Sequence, residues 1–187
     1  MPLRRHLVSS AAVVAAAASL TACGAKEHVS VAKTEGVYVT AGELKYQVQI
    51  SRILNPSDFE DRDYLTGIAS YDRTLGKDEQ WFGVFLRAIN MTNAAHPTSD
   101  RLTIKDTTGA QFQPVRVDPN VNRVAWKSVV VKGGDQVPVP GSLARENDTQ
   151  GGLVLFKIPV PAFANRPLEL HIASATGGGD AIVELDI

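Results

Sequence analysis

An all-β fold, an antiparallel β-sandwich, is what this sequence predicts, and three observations predict it. Short runs of alternating apolar and polar residues recur, as in Leu44 to Ser51 (LKYQVQIS) and Leu168 to Ile172 (LELHI). Turn-forming residues separate them, among them Asn55-Pro56, Asp106 to Gly109, Gly133-Gly134 and Gly177-Gly178-Gly179. Little of the chain carries a helical period. Alternation at period two puts one strand face in water and the other on a core, and many such strands pack as two antiparallel sheets.

Taken in order, the chain begins with Arg4 and Arg5, no acidic residue before Cys23, and an uncharged run from Leu7 to Leu20. At ~1.5 Å per residue that run spans ~20 Å as a helix, against ~30 Å of bilayer hydrocarbon. It reads as the apolar region of a signal peptide rather than a spanning helix. The single cysteine of the chain follows Leu20-Thr21-Ala22 directly. Leu, two small or polar residues and Cys resembles the bacterial lipoprotein signal. That resemblance implies cleavage before Cys23 and a diacylglyceryl thioether on its sulfur, with palmitate-type acyl chains; the alkylation requires a thiol. Residues 1–22 are therefore expected to be a lipoprotein signal peptide and Cys23 the lipid-attachment residue. Two or more acyl chains make a stable anchor. The implied location is the extracytoplasmic face of the cell membrane.

Loss of residues 1–22 removes Arg4 and Arg5 and leaves 17 basic against 20 acidic residues, a net charge of −3 where the whole chain carries −1. No basic run remains, so nucleic acid is not an expected partner. With Cys23 acylated no thiol is left for a disulfide, and stability has to come from a hydrophobic core.

Residues 23–35 are polar and read as a flexible tether, with residues 36–187 as the folded domain. Val37 and Val39 predict a lead-in strand turned at Ala41-Gly42, before the strand with Leu44, Tyr46, Val48 and Ile50 on one face. Residues 55–80 form the longest connection, where Ser57-Asp58-Phe59-Glu60 has the spacing of a capping box and Gly67 a stop, predicting one or two helical turns between. Trp81 to Asn90 (WFGVFLRAIN) is apolar on both faces. Such a strand is covered on both sides, so the 55–80 connection is expected over its outer face. Leu102 to Ile104, Gln111 to Val117 and Val124 to Val131 read as further strands. Pro138, Pro140 and Gly141 make 136–150 a loop or sheet edge. Leu153 to Ile158 is apolar on both faces and expected to be central. Leu168 to Ile172 and Val183 to Ile187 close the chain as strands.

Three stretches carry a family resemblance: Trp81 to Asn90; Leu102 to Ile104 with Asp106 and Gly109; and Pro140-Gly141 followed by Gly152 to Pro159 (GLVLFKIP). In this order they resemble the immunoglobulin-like domains of exported bacterial proteins of unknown function (the DUF4352 type), related in fold to a mycobacterial immunoprotective antigen. The resemblance implies an immunoglobulin-like β-sandwich displayed outside the cell, and no catalytic residue.

Candidate chemistry is sparse. Asp58, Glu60, Asp61 and Asp63 form the one acidic cluster, but they lack the alternating spacing and glycine of a calcium loop, and Arg62 interrupts them. His28, His96 and His171 have no paired metal spacing. No Gly-x-Ser-x-Gly elbow and no phosphate-cradling glycine loop before a helix is present. No enzyme activity, metal or cofactor is therefore expected. Tyr64, Tyr71 and Trp81 are either a binding face or the packing of the long connection onto the sheet. The function expected is a lipid-anchored extracytoplasmic domain that binds an envelope component or protein partner; a passive envelope spacer is the alternative. An exposed apolar patch beside residues 55–80 distinguishes the first from the second.

Overall fold

The computed structural model describes residues 29–187. The expected signal peptide, Cys23, His28 and the first part of the tether lie outside them. Two sheets face each other. The first has the order β1 (Ser30–Ala32), β12 (Ala181–Leu185), β11 (Leu168–Ile172), β6 (Leu102–Lys105) and β7 (Gln111–Phe112). The second runs β10 (Gly152–Pro159), β4 (Glu79–Ile89), β3 (Leu44–Leu54) and β2 (Val39–Ala41), with β9 (Gln136–Val137) pairing the end of β4. A small ribbon pairs β5 (His96–Pro97) with β8 (Val130–Val131). Among the described residues every strand pair is antiparallel except β1 with β12. This is the antiparallel β-sandwich of immunoglobulin-like type, the chain crossing between sheets after β1, β4, β7 and β10.

The inner faces bury Tyr46, Val48, Phe82, Val84 and Leu86 against Ile104, Leu168, Leu170, Ile172 and Val183, all nearly inaccessible. At ~1.5–3 kcal/mol for each large apolar side chain removed from water, this layer is the main source of stability. Burial pushes the Tyr46 hydroxyl up to about 12, and that neutral oxygen accepts the Ser99 N–H at 2.8 Å. At the end of β4, buried Asn90 donates to the Ala94 and Val131 carbonyls and accepts the Thr92 N–H, shaping the exit from the strand. The predicted Asp106–Gly109 turn is present: Asp106 Oδ1 accepts from Thr108 and Ala110, and Gly109 has φ 88°.

Four expectations are corrected. The tether does not extend to residue 35, because Ser30–Ala32 is a strand in the first sheet, with Ala32 buried. Glu35 adds a lock: its carboxylate accepts the Ser51 N–H, the Ser51 hydroxyl and the Asp186 N–H. Ile50 does not continue the inward face of Val48. A β-bulge between Val48 and Ile50 switches the strand's faces, leaving Ile50 41% exposed and turning Leu54 outward. Finally, β10 ends its ladder instead of lying at its centre. Its free edge is covered by irregular chain: Val115 N–H donates to Leu155 O, and Trp126 N–H to Leu153 O. Most of 113–129 is therefore cover for an edge, where strands were expected.

Candidate functional site

The bulge in β3 is where the site begins, because it places Arg52 on the outer face of the second sheet. That face carries its own apolar layer of Leu54, Trp81, Phe85, Leu153 and Leu155. Three segments lie over it, as the two-sided pattern of β4 requires. The first is α1 (Phe59–Tyr64), whose N-cap is Asp58, accepting the Glu60 N–H at 2.8 Å. Tyr64 packs its ring edge on Phe85 with centroids 5.1 Å apart, and Ile68 joins the same layer. The second is the loop 118–124, which contributes Val124. The third is α2 (Leu143–Glu146), which contributes Ala144.

Polar contacts fix these segments to one another. Asp61 is buried; one carboxylate oxygen accepts from the Arg52 guanidinium and the other from the Asn55 N–H at 2.7 Å. Asn122, also buried, donates to Tyr64 O at 2.9 Å and Thr66 O at 3.2 Å and accepts the Val124 N–H. Gly67 has φ +70°, and a Cβ there would meet Asp118 O at 3.0 Å. Its carbonyl accepts the Asp118 N–H at 2.8 Å, so the chain leaving α1 is tied to the neighbouring loop.

Between these three segments lies an open groove of about 630 Å³. Phe59, Val121 and Leu143 line it, and they are 75%, 60% and 47% exposed. Four carboxylates, Glu60, Asp63, Glu146 and Asp148, line it too, against two cations, Arg52 and Arg123. Arg52 is already held by Asp61 and lies 5.7 Å from the Tyr64 ring centroid. Glu146 accepts the Gly141 N–H. Among the described residues Glu60, Asp63 and Asp148 form no salt bridge. The groove therefore sets three exposed apolar side chains among polar walls and is acidic in its net charge. Arg123 also lines a smaller hollow of about 170 Å³, walled by Trp126, Val129, Val137 and Pro138.

The acidic cluster of the sequence is thus divided by the fold. Asp58 caps a helix, Asp61 anchors Arg52, and Glu60 and Asp63 face the groove. Of the aromatic trio, Tyr64 and Trp81 are packing residues and Tyr71 is 73% exposed. His96 pairs with Val131 in the small ribbon, and His171 stands 3.0 Å from Glu169 on the first sheet. Val121, Arg123, Leu143 and Asp148 were not expected at a site. They come from loops far from residues 55–80 in sequence, and no spacing connects them.

No protein-family model and no curated protein matches the chain. Among solved structures the chain is similar to the yjhA protein from Bacillus subtilis, with TM-score 0.48 and 12% identity over 82% of this chain and 99% of that one. It is also similar to a lipoprotein candidate, ycdA, from Bacillus subtilis, with TM-score 0.48 and 9% identity over 80% of this chain and 38% of that one. An uncharacterized beta-sandwich protein from Clostridium difficile gives TM-score 0.43 and 10% identity over 83% of this chain and 95% of that one. These are likenesses of shape at low identity, and the chemistry of the groove stands on its own residues.

Proposed function

We propose that this protein is a binding module of the bacterial cell envelope, lipid-anchored through Cys23, that engages its partner through the groove on the outer face of the second sheet. The observation that carries the reading is the exposure of Phe59, Val121 and Leu143 together beside the 55–80 connection. Isolated apolar side chains on a surface are ordinary; three converging on one groove is how a recognition site is built. The family resemblance and the lipoprotein-type signal at Leu20–Cys23 support display outside the cytoplasm. Binding rather than catalysis is the role in this reading, and two of the clustered acids and one histidine stand apart from the groove. Asp58 and Asp61 are committed to structure, and the His171–Glu169 pair lies on the other sheet, away from the groove.

The test is recovery of partners from envelope extract by wild-type protein and by a Phe59→Ser/Leu143→Ser variant. Both substitutions fall on exposed side chains and are expected to leave the fold intact, which circular dichroism of the variant checks. Wild type is expected to retain a reproducible set of components that the variant loses. Recovery of the same set by both would remove the groove from the proposal.

A further inference from the structure

The charge of the groove narrows the partner's chemistry, an inference that rests on the binding role proposed above. An apolar anchor has three partly exposed walls to enter, Phe59, Val121 and Leu143. Around them Glu60, Asp63 and Asp148 are carboxylates without an ion-pair partner among the described residues, opposed by Arg123 alone once Arg52 is assigned to Asp61. Anionic ligands would meet repulsion from this rim, and a neutral one would leave it unused. Like-charge juxtaposition at an interface excludes partners, whereas opposite charge steers them in and orients them. We propose that the groove receives a polypeptide segment in which an apolar side chain is flanked by Lys or Arg. The apolar residue fills the space between Phe59 and Leu143, and the flanking cations reach the three carboxylates.

The experiment is fluorescence anisotropy with the full-length acylated protein in uncharged detergent, empty micelles subtracted. Three labelled peptides serve as probes: Lys-Lys-Leu-Trp-Lys-Lys, its Glu-for-Lys counterpart, and Lys-Lys-Gly-Ser-Lys-Lys. The first is expected to bind about tenfold more tightly than either other and to weaken as salt rises. A Glu60→Gln/Asp63→Asn/Asp148→Asn variant is expected to lose about tenfold in affinity for it, and Phe59→Ser a similar factor. Tyr71→Ser, an exposed aromatic outside the groove, is expected to change nothing. Equal binding of the acidic or anchor-free peptide, or unchanged affinity of the triple variant, overturns the proposal. So does binding of an N-acetylglucosamine oligomer without binding of the first peptide. If the groove variant loses its envelope partners while the basic peptide fails to bind, the binding role stands and this assignment of partner falls.

Discussion

Glu35 shows how one residue couples the start of the chain to the sandwich. Burial raises its carboxyl above the ordinary glutamate range, opposed by hydrogen bonds from Ser51 and Asp186, with the Asp186 charge raising it further. A carboxyl raised in the folded state contributes stability that is full below its unfolded pKa and is lost as pH rises through the folded value. Asp106 has the opposite sign: hydrogen bonds, from Thr108 first, lower it below the ordinary aspartate range. Its contribution is present above that range and is lost as pH falls through the folded value. Urea titrations of wild type and Glu35→Gln across the acid range therefore separate the two. The variant is expected to lack the decline in stability just above the ordinary glutamate pKa while keeping the acid-side loss set by Asp106. Parallel curves for the two proteins would show that Glu35 is not the group responsible.

At the scale of elements, the groove depends on α1 ending where it does. Gly67 has a backbone conformation that a side chain strains, and the space around it is closed by Asp118 and Asn122. Gly67→Ala is expected to cost about 1–3 kcal/mol, from left-handed strain and the forced shift of the 118–124 loop. Chemical denaturation measures it; a cost near zero would mean that the loop gives way freely. Much of this architecture was legible beforehand. The two-sided apolar pattern of Trp81 to Asn90 announced that residues 55–80 would lie over its outer face, and Tyr64, Ile68 and Phe85 do meet there. Asp106 and Gly109 announced their turn. Alternation could not reveal the bulge, because Ile50 continues the apolar pattern past the point where the faces exchange. Nor could it reveal β1, a three-residue strand with a single buried side chain, too short to show a period. For β10, apolarity on both faces signals cover above and below, and says nothing of which strand lies beside it. The groove itself was illegible because Arg52, Phe59, Val121 and Leu143 meet only through tertiary packing.

For the whole molecule, the proposed location rests on one residue outside the described region. With Cys23 acylated, the protein is expected to fractionate with membranes and to remain there in high salt, since alkyl chains and not charges hold it. A Cys23→Ser variant is expected to lose acylation and to appear in the soluble extracytoplasmic fraction or to accumulate unprocessed. Metabolic labelling with a clickable fatty acid reads this directly, and label retained by the variant would refute the lipid assignment. Among the described residues no helix is long and apolar enough to cross a membrane.

Anchorage through Cys23, as proposed, would give the β1–β12 pair a mechanical meaning. β1 lies at the end of its sheet and runs parallel to β12, in register from Ser30 with Ala181 to Ala32 with Val183. With that anchor in place, tension directed along β1 would load the bonds to β12 together in shear instead of peeling them apart one at a time. The Lys33–Glu184 ion pair and the Glu35 contacts to Ser51 and Asp186 follow this ladder in the chain and would share the load. How long the domain endures such a pull is governed by its unfolding barrier rather than by its equilibrium stability. A partner gripping the groove would then draw against a reinforced seam, and the domain would transmit the force before it yielded.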